Sequence, residues 1–372
     1  MSTTLYRKYR PQLWKDITNQ NHIKITLQSE VATGRISHAY LFTGPHGVGK
    51  TTTARLLAKT LNCEHKTVYE LRKIHGDNTE PCNKCHSCVE ITTGNSLDLI
   101  EIDAASHTGV DNVRENIIDS SKVHPAKNKY KVFIIDEVHM LSASAFSALL
   151  KILEEPPTNV IFILATTNIY DVPDTIISRC QRFNFIKLSL EEIKCRLQSI
   201  AQSENIEIDD NVLSAIAEQA AGSVRDAESI LGQVLALGEH KITLEIAELI
   251  IPKSNTNLVI NLVDYLISCN AEAAIGLINK LVDDGVNINI FTKELIEFLR
   301  KLLLIKTGLS LDKIFFNTDS ATKTTMVSLA SKIETNRLLK LLTLLVERLS
   351  SFNTSPIVQL PLEMIVMEFI SE

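Results

Sequence analysis

The run Gly44-Pro45-His46-Gly47-Val48-Gly49-Lys50-Thr51 constrains this chain more than any other feature. It matches the pattern G-x-x-x-x-G-K-[ST] and stands between a short apolar run at 38–43 and a helix-like stretch at 51–61. A Gly-rich turn that closes a strand and opens a helix lets backbone N–H groups crowd around phosphate oxygens, and the helix N-terminus adds partial positive charge. A chance Gly-rich turn would lack that strand-before, helix-after context. The expected nucleotide-binding set is Gly44, Pro45, His46, Gly47, Val48, Gly49, Lys50, Thr51 and Thr52. Within it Lys50 reaches the β- and γ-phosphates and the Thr51 hydroxyl binds Mg²⁺.

A matching second half lies downstream. Val132-Phe133-Ile134-Ile135 reads as a buried strand, so Asp136 and Glu137 emerge at its C-terminal end, where ligands of parallel α/β sheets sit. Asp136 is placed to hold Mg²⁺ and Glu137 to polarise an attacking water. Paired acids after a strand also cap helices; the upstream loop favours the hydrolytic reading. A further apolar run at 160–165 ends in Thr166-Thr167-Asn168, whose polar groups fall near the γ-phosphate or the lytic water. Thr167 is the candidate catalytic residue, although turn chemistry alone accounts for such residues and the sequence does not choose between Thr166 and Thr167.

Apolar runs at 97–102, 132–135 and 160–165 alternate with helix-like stretches at 111–122 and 144–153, which predicts a parallel sheet with helices on both faces. Strand signals stop at 178–185. Helices are then expected at 190–203, 210–221 and 223–237, with Gly222 as a stop, followed by a leucine-rich helical region. In that region Leu338, Leu341, Leu342, Leu345 and Leu349 share one face. Three domains follow: an α/β domain over 1–178, a small helical lid over 179–242 and an all-α domain over 243–372.

The whole chain carries a net charge of −6, yet residues 1–60 hold nine Lys/Arg against two Asp/Glu, a net +7, which leaves −13 for the rest. A basic face on the first domain or a plain solvated surface both fit that distribution. Aromatics are 5%, too few for a reader that stacks on single-stranded bases. No secretory leader or membrane-spanning run is read from the sequence.

Of seven cysteines, Cys82, Cys85 and Cys88 follow at C-x-x-C-x-x-C spacing, with Cys63 upstream and eighteen residues intervening. Thiolates so spaced converge on one tetrahedral Zn²⁺, and four protein ligands leave no open position, so the metal is expected to be structural. His65, His75 and His86 are alternative ligands to Cys63. Cys180, Cys195 and Cys269 are expected as buried, small apolar residues.

Asp136-Glu137-Val138-His139-Met140, Ala148 to Pro157 (ALLKILEEPP), Ser178-Arg179-Cys180 and Tyr6-Arg7-Lys8-Tyr9-Arg10-Pro11 together resemble the clamp-loader branch of AAA+ proteins. The motifs cover residues 1 to about 235; the remainder matches in length and helical character. The resemblance implies an AAA+ P-loop domain with a zinc module at 63–88, a lid and a helical oligomerisation collar. It implies an ATP-driven motor that opens a sliding clamp and leaves it on primer-template DNA, held through phosphates and shape. The implied partners are other clamp-loader subunits (delta and delta-prime), copies of the same chain and the clamp, all in the cytoplasm and with no membrane contact. Arg179 would be an arginine finger acting on ATP of the neighbouring subunit, and Arg225, in Gly222-Ser223-Val224-Arg225-Asp226, would touch the γ-phosphate of its own. Arg10 and Pro11 would line the adenine pocket. Arg179 and Arg225 have plainer readings, as an arginine paired with an acid at a domain junction and as a helix-start arginine on a solvated face, and the Arg10–Pro11 assignment is the weaker one because such a pocket is mainly apolar and backbone-made. The segment 64–81 exceeds the family's usual spacing by about ten residues, which costs little in loop closure. The chain ends at Glu372, short of the linker and further domains of longer members.

Three rivals are weaker. Another AAA+ motor, such as a branch-migration helicase or protein remodeller, needs neither the zinc module nor Ser178-Arg179-Cys180. A dead scaffold would not keep Lys50, Thr51, Asp136 and Glu137. A zinc-based DNA reader would want a basic recognition helix after the cysteines.

Overall fold

A computed structural model describes residues 4–65, 79–106, 114–239, 241–247, 250, 256–308, 320–349 and 351–371. The chain divides into two compact units, Met1–Ile251 and Pro252–Glu372.

The first unit is built on five strands: β1 (Ala39–Thr43), β2 (Leu99–Asp103), β3 (Lys131–Asp136), β4 (Val160–Thr166) and β5 (Gln181–Asn184). Their order is β2-β3-β4-β1-β5, and every pairing is parallel. Helices cover both faces, so the central strands are apolar without alternation, and β1 and β4 are buried along their whole length. Tyr40 and Phe42 of β1 face one core with Ile23, Leu27 and Leu57. Ala39 and Leu41 face the other with Phe146, Leu149 and Leu153. The helices of this part of the chain are α1 (Leu5–Lys8), α2 (Asn21–Thr33), α3 (Lys50–Asn62), α4 (His86–Thr93), α5 (Ala143–Glu154) and α6 (Asp174–Ile177), and α2, α3, α5 and α6 supply buried residues to these layers.

Three expectations are corrected here. The strand expected as buried over 97–102 is β2, an edge strand that begins two residues later and ends one later; Leu97 is 70% exposed and Ile102 is the buried residue of the strand. An edge lacks a neighbour on one side, so it needs fewer apolar residues. The sheet also runs past residue 178, because β5 pairs with β1 over 181–184. Of the helix expected at 111–122, residues 111–113 lie outside the described residues, and Arg114–Asp119 form a wide helical turn where a regular helix was expected.

The lid consists of α7 (Leu190–Ser203), α8 (Asp210–Gln219) and α9 (Val224–Leu235), clipped by a two-residue parallel pair, β6 (Glu207–Ile208) and β7 (Lys241–Ile242), followed by α10 (Leu244–Ala247). Ser189 and Glu192 form a reciprocal capping box at the start of α7. Between α8 and α9 the backbone passes through positive φ at Ala221 and Gly222, and Ser223 then caps α9 by accepting from Asp226 N–H.

The second unit holds α11 (Thr256–Ile267), α12 (Ala271–Asp283), α13 (Ile288–Lys306), α14 (Ser320–Lys332), α15 (Thr335–Glu347), α16 (Ser351–Thr354) and α17 (Leu360–Ile370) around its own core. On α15 the buried leucines are Leu338, Leu341, Leu344 and Leu345; Leu342 and Leu349, expected on the same face, are only half-buried. Cys195 and Cys269 are exposed, against the expectation, whereas Cys180 is partly buried and packs against the first unit's core layer of Phe146, Leu149 and Leu153. Cys195 lies toward solvent on amphipathic α7, and Cys269 occupies a left-handed turn after α11. Among the described residues no helix is long and apolar enough to cross a membrane.

Candidate nucleotide site and cysteine cluster

The loop between β1 and α3 cannot carry side chains at its closest approaches. A Cβ on Gly44 would lie 2.4 Å from the Phe185 carbonyl oxygen. A Cβ on Gly47 (φ +71°) would lie 1.9 Å from the Ser223 hydroxyl. The Gly47 carbonyl accepts from Val224 N–H at 3.1 Å, which ties the loop to the lid. Lys50, 5% exposed, folds under the loop, and its Nζ donates to the carbonyls of Gly44 and Pro45 at 2.8 Å each. Burial lowers the pKa of Lys50; the carboxylates of Glu137 and Asp136 work the other way.

Asp136 arrives from β3, with β4 between it and β1, so the fold brings together residues 85 apart. The Thr51 hydroxyl donates to Asp136 Oδ2 at 2.6 Å. These residues line a cleft of about 290 Å³. His46, Gly47, Val48, Gly49, Lys50, Thr51, Thr52, Asp136, Glu137, Arg10, Pro11 and Arg225 all face it; Gly44 and Pro45 contribute their carbonyls beneath Lys50.

Glu137 has left-handed backbone (φ +47°), which turns its side chain off the strand axis. Its carboxylate accepts from the Thr167 N–H at 3.2 Å and hydroxyl at 2.8 Å, with His139 Nδ1 at 3.3 Å. Thr166 is buried; its hydroxyl donates to the Asn168 carbonyl and lies 3.0 Å from His139 Nδ1. Of the two threonines, then, Thr167 is the one that touches Glu137.

From the lid, Arg225 places its guanidinium 5.1 Å from the Tyr6 ring centroid and 3.3 Å from His46 Nε2. Arg196 and Glu228 also line the cleft and pair at 2.9 Å; burial raises the pKa of Glu228, and the Arg196 guanidinium opposes it. Sequence reasoning missed this pair, and also Ser223 as the residue against Gly47. Arg196 carries no motif; Glu228, a charged residue at a core-facing position of an amphipathic helix, was the available signal. Arg179 does not line the cleft. It pairs with Glu154 at 2.5 Å and donates to the Thr175 carbonyl, partly exposed beside α6.

The sulfurs of Cys63, Cys82, Cys85 and Cys88 all lie within 4.8 Å of one another. Tetrahedral Zn²⁺ with bonds near 2.3 Å sets sulfurs about 3.8 Å apart, so this donor set fits zinc after a small contraction. The Cys82 and Cys88 sulfurs are already 3.9 Å apart. Burial opposes a thiolate at Cys82, but N–H groups of Lys84 and Cys85 outweigh it and bring its pKa down to about 6. Burial pushes the Cys63 and Cys88 thiols up. His65 and His86 are not part of the four-sulfur cluster. His75 and residues 66–78 of the lengthened loop lie outside the described residues.

A parallel P-loop sheet with acids at the end of β3, a helical lid across the cleft and an all-α region beyond define an AAA+ protein of the clamp-loader kind. Residues 19–189 match the family described as DNA polymerase III, delta subunit, and residues 192–240 the DNA polymerase III clamp loader subunit, ATPase lid domain. Residues 244–371 match DNA polymerase III subunits gamma and tau domain III. The chain is 42% identical over 318 residues to DNA polymerase III subunit gamma of Buchnera aphidicola subsp. Acyrthosiphon pisum, covering 84% of this chain and 83% of that protein. It is 43% identical to subunit tau of Bacillus subtilis and 39% to subunit tau of Escherichia coli, over 83% and 81% of this chain. It spans about half the length of those two relatives, 53% and 45%. A solved Bacillus subtilis DNA clamp loader delta protein is 12% identical with a TM-score of 0.43, over 94% of this chain and 99% of that one. The chain belongs to the gamma/tau family of DNA polymerase III subunits.

Proposed function

We propose that this chain is the ATP-driven motor subunit of a bacterial clamp loader, which hydrolyses ATP to place a sliding clamp on primer-template DNA. The observation that carries the reading is the 2.6 Å contact between Thr51 and Asp136 beside a buried Lys50, in a cleft lined by the loop, the end of β3 and the lid. ATP enters with its phosphates under the N–H groups of the loop; Lys50 leaves its two carbonyl partners for the β- and γ-phosphates. Thr51 and Asp136 hold Mg²⁺, which when bound neutralises phosphate charge. Glu137 polarises the attacking water, and Thr167 fixes the orientation of its carboxylate. Arg225 touches the γ-phosphate from the lid of the same chain. Arg179, with an exposed salt bridge that is readily exchanged, is the finger for a neighbouring subunit's ATP. Arginine fingers are worth on the order of 10³–10⁵ in rate.

The four cysteines hold a structural Zn²⁺. The second unit is the collar through which copies of the chain and the delta-type subunits assemble, and DNA is held by phosphate and shape contacts. The assembly works in the cytoplasm.

The test is ATP turnover by the chain with its partner subunits, with and without clamp and primed DNA, for the parent and Arg179→Ala. Joint stimulation by clamp and DNA, lost in Arg179→Ala while ATP still binds, is expected. Turnover indifferent to clamp and DNA, or unchanged in the variant, refutes the assignment.

A further inference from the structure

The segment that lines one end of the cleft is gripped from behind by the cysteine module. Arg10 and Pro11 face the cleft. The next residue, Gln12, faces away from it. Its backbone carbonyl accepts from Asn83 Nδ2 at 3.2 Å, and its side-chain oxygen accepts from Lys59 Nζ at 2.5 Å and the Thr92 hydroxyl at 3.2 Å. Lys59, 3% exposed, donates also to Asn83 Oδ1 at 2.7 Å. Two residues on, the N–H groups of Trp14 and Lys15 both donate to the carboxylate of Glu80, at 2.6 and 2.9 Å. The Trp14 indole N–H donates to Thr60 on the helix that follows the P-loop.

Asn83 and Glu80 are not placed by a helix or a strand. Asn83 has φ +56° and sits between the ligands Cys82 and Cys85; Glu80 stands two residues before Cys82. What fixes such a turn is convergence of the four sulfurs, so whatever orders the cysteines also orders the grip on Gln12 and Trp14. We propose that the cysteine module is a clasp on residues 10–15, and that metal occupancy and nucleotide affinity are therefore thermodynamically linked. The linkage rests on the nucleotide and zinc readings above. A buried cation beside the cluster, Lys59, fits the double negative charge of a zinc tetrathiolate. Linkage is reciprocal: zinc tightens nucleotide, and nucleotide tightens zinc by the same factor.

The chain has one tryptophan, Trp14, inside the clasp and 1% exposed. The experiment measures the dissociation constant of a fluorescent ATP analogue with Mg²⁺ for zinc-loaded chain and for chain stripped by a chelator selective for zinc over magnesium. Trp14 emission and far-UV dichroism are followed alongside. Stripping is expected to weaken nucleotide about 5- to 50-fold, the usual range of coupling between sites, with a red shift of Trp14 and unchanged helix content. In competition with the chelator, saturating nucleotide should tighten zinc by the same factor. Asn83→Gly keeps the left-handed turn and all four cysteines but removes the amide, so it should weaken nucleotide with zinc still bound. Equal nucleotide affinity in loaded, stripped and Asn83→Gly chains overturns the proposal. Lys50→Ala serves as the control: if it binds nucleotide like the parent, the cleft reading fails and the linkage with it; if it does not bind, equal affinities count against the clasp alone.

Discussion

Replacing Gly47 with alanine tests how the P-loop and lid are joined. The new Cβ would stand 1.9 Å from the Ser223 hydroxyl oxygen and 3.0 Å from its Cβ, so rotating the hydroxyl away does not relieve the overlap. Either the loop or the start of α9 has to move. The left-handed backbone costs alanine about 1 kcal/mol. Displacing Ser223 removes the cap on Asp226 N–H, about 1 kcal/mol. Shifting α9 strains the bond from Val224 N–H to the Gly47 carbonyl, about another 1 kcal/mol. Gly47→Ala should therefore destabilise the first unit by about 3 kcal/mol in denaturant titration, and weaken the fluorescent ATP analogue because the lid no longer meets the loop. A cycle isolates the cause. Ser223→Gly alone should cost a few tenths of a kcal/mol, as glycine is a tolerable cap. In the Gly47→Ala/Ser223→Gly chain the backbone penalty, the weakened cap and a 3.3 Å contact with Arg225 Cβ remain, about 1.5 kcal/mol together, so the two changes should be strongly non-additive. Additive losses would show that the close approach of Gly47 to Ser223 is not what demands glycine.

Three further outcomes follow from the same geometry. Glu228→Ala leaves Arg196 charged and largely buried, and should cost about 3 kcal/mol; Arg196→Met with Glu228→Leu should recover most of it, and no recovery refutes the buried-pair account. Thr167→Val removes the hydroxyl bond to Glu137 and should lower kcat of the assembled ATPase by about tenfold, a bond's worth of free energy, without changing nucleotide affinity; equal kcat would sink that role. Asp98 accepts from Ala126, Lys127 and Asn128 N–H; although burial opposes its ionisation, these bonds hold its pKa below the usual carboxylate value. Its stabilisation is thus complete above about pH 4 and lost as pH falls through the lowered folded value, and Asp98→Ala should cost about 3 kcal/mol at neutral pH and much less at the acid end.

What the sequence made legible was decided by burial. β1, β3 and β4 are covered on both faces, so their runs are apolar without interruption and readable. β5, with the sequence Gln181-Arg182-Phe183-Asn184, buries only Phe183 and looks like a loop; its strand character comes from pairing with β1. The same holds for the pair at 207–208 and 241–242, two residues each. At the site, the loop, the two acids and the four cysteines follow local spacing rules and were found by number. The Ser223 contact, the Arg196–Glu228 pair and the Gln12–Asn83 bond join residues 32 to 176 apart, beyond any local pattern. That Thr167 rather than Thr166 touches Glu137 follows only from the folded positions: Thr166 is buried, with its hydroxyl turned to Asn168 and His139.

The strand order has a consequence for synthesis. β1 carries the P-loop, yet its neighbours are β4 and β5: Ala39 pairs with Phe162, and Tyr40 with Gln181. Both partners leave the ribosome well over a hundred residues after it. Ala39 to Thr43 thus waits without a hydrogen-bonding partner while the intervening chain is translated, at about 5–20 residues per second for several seconds or longer. During that interval a fully apolar strand and an unformed phosphate loop are open to chaperones and to misassembly. Nascent chains halted before β4 emerges should be held by chaperones and fail to retain nucleotide, and those halted after the lid emerges should retain it.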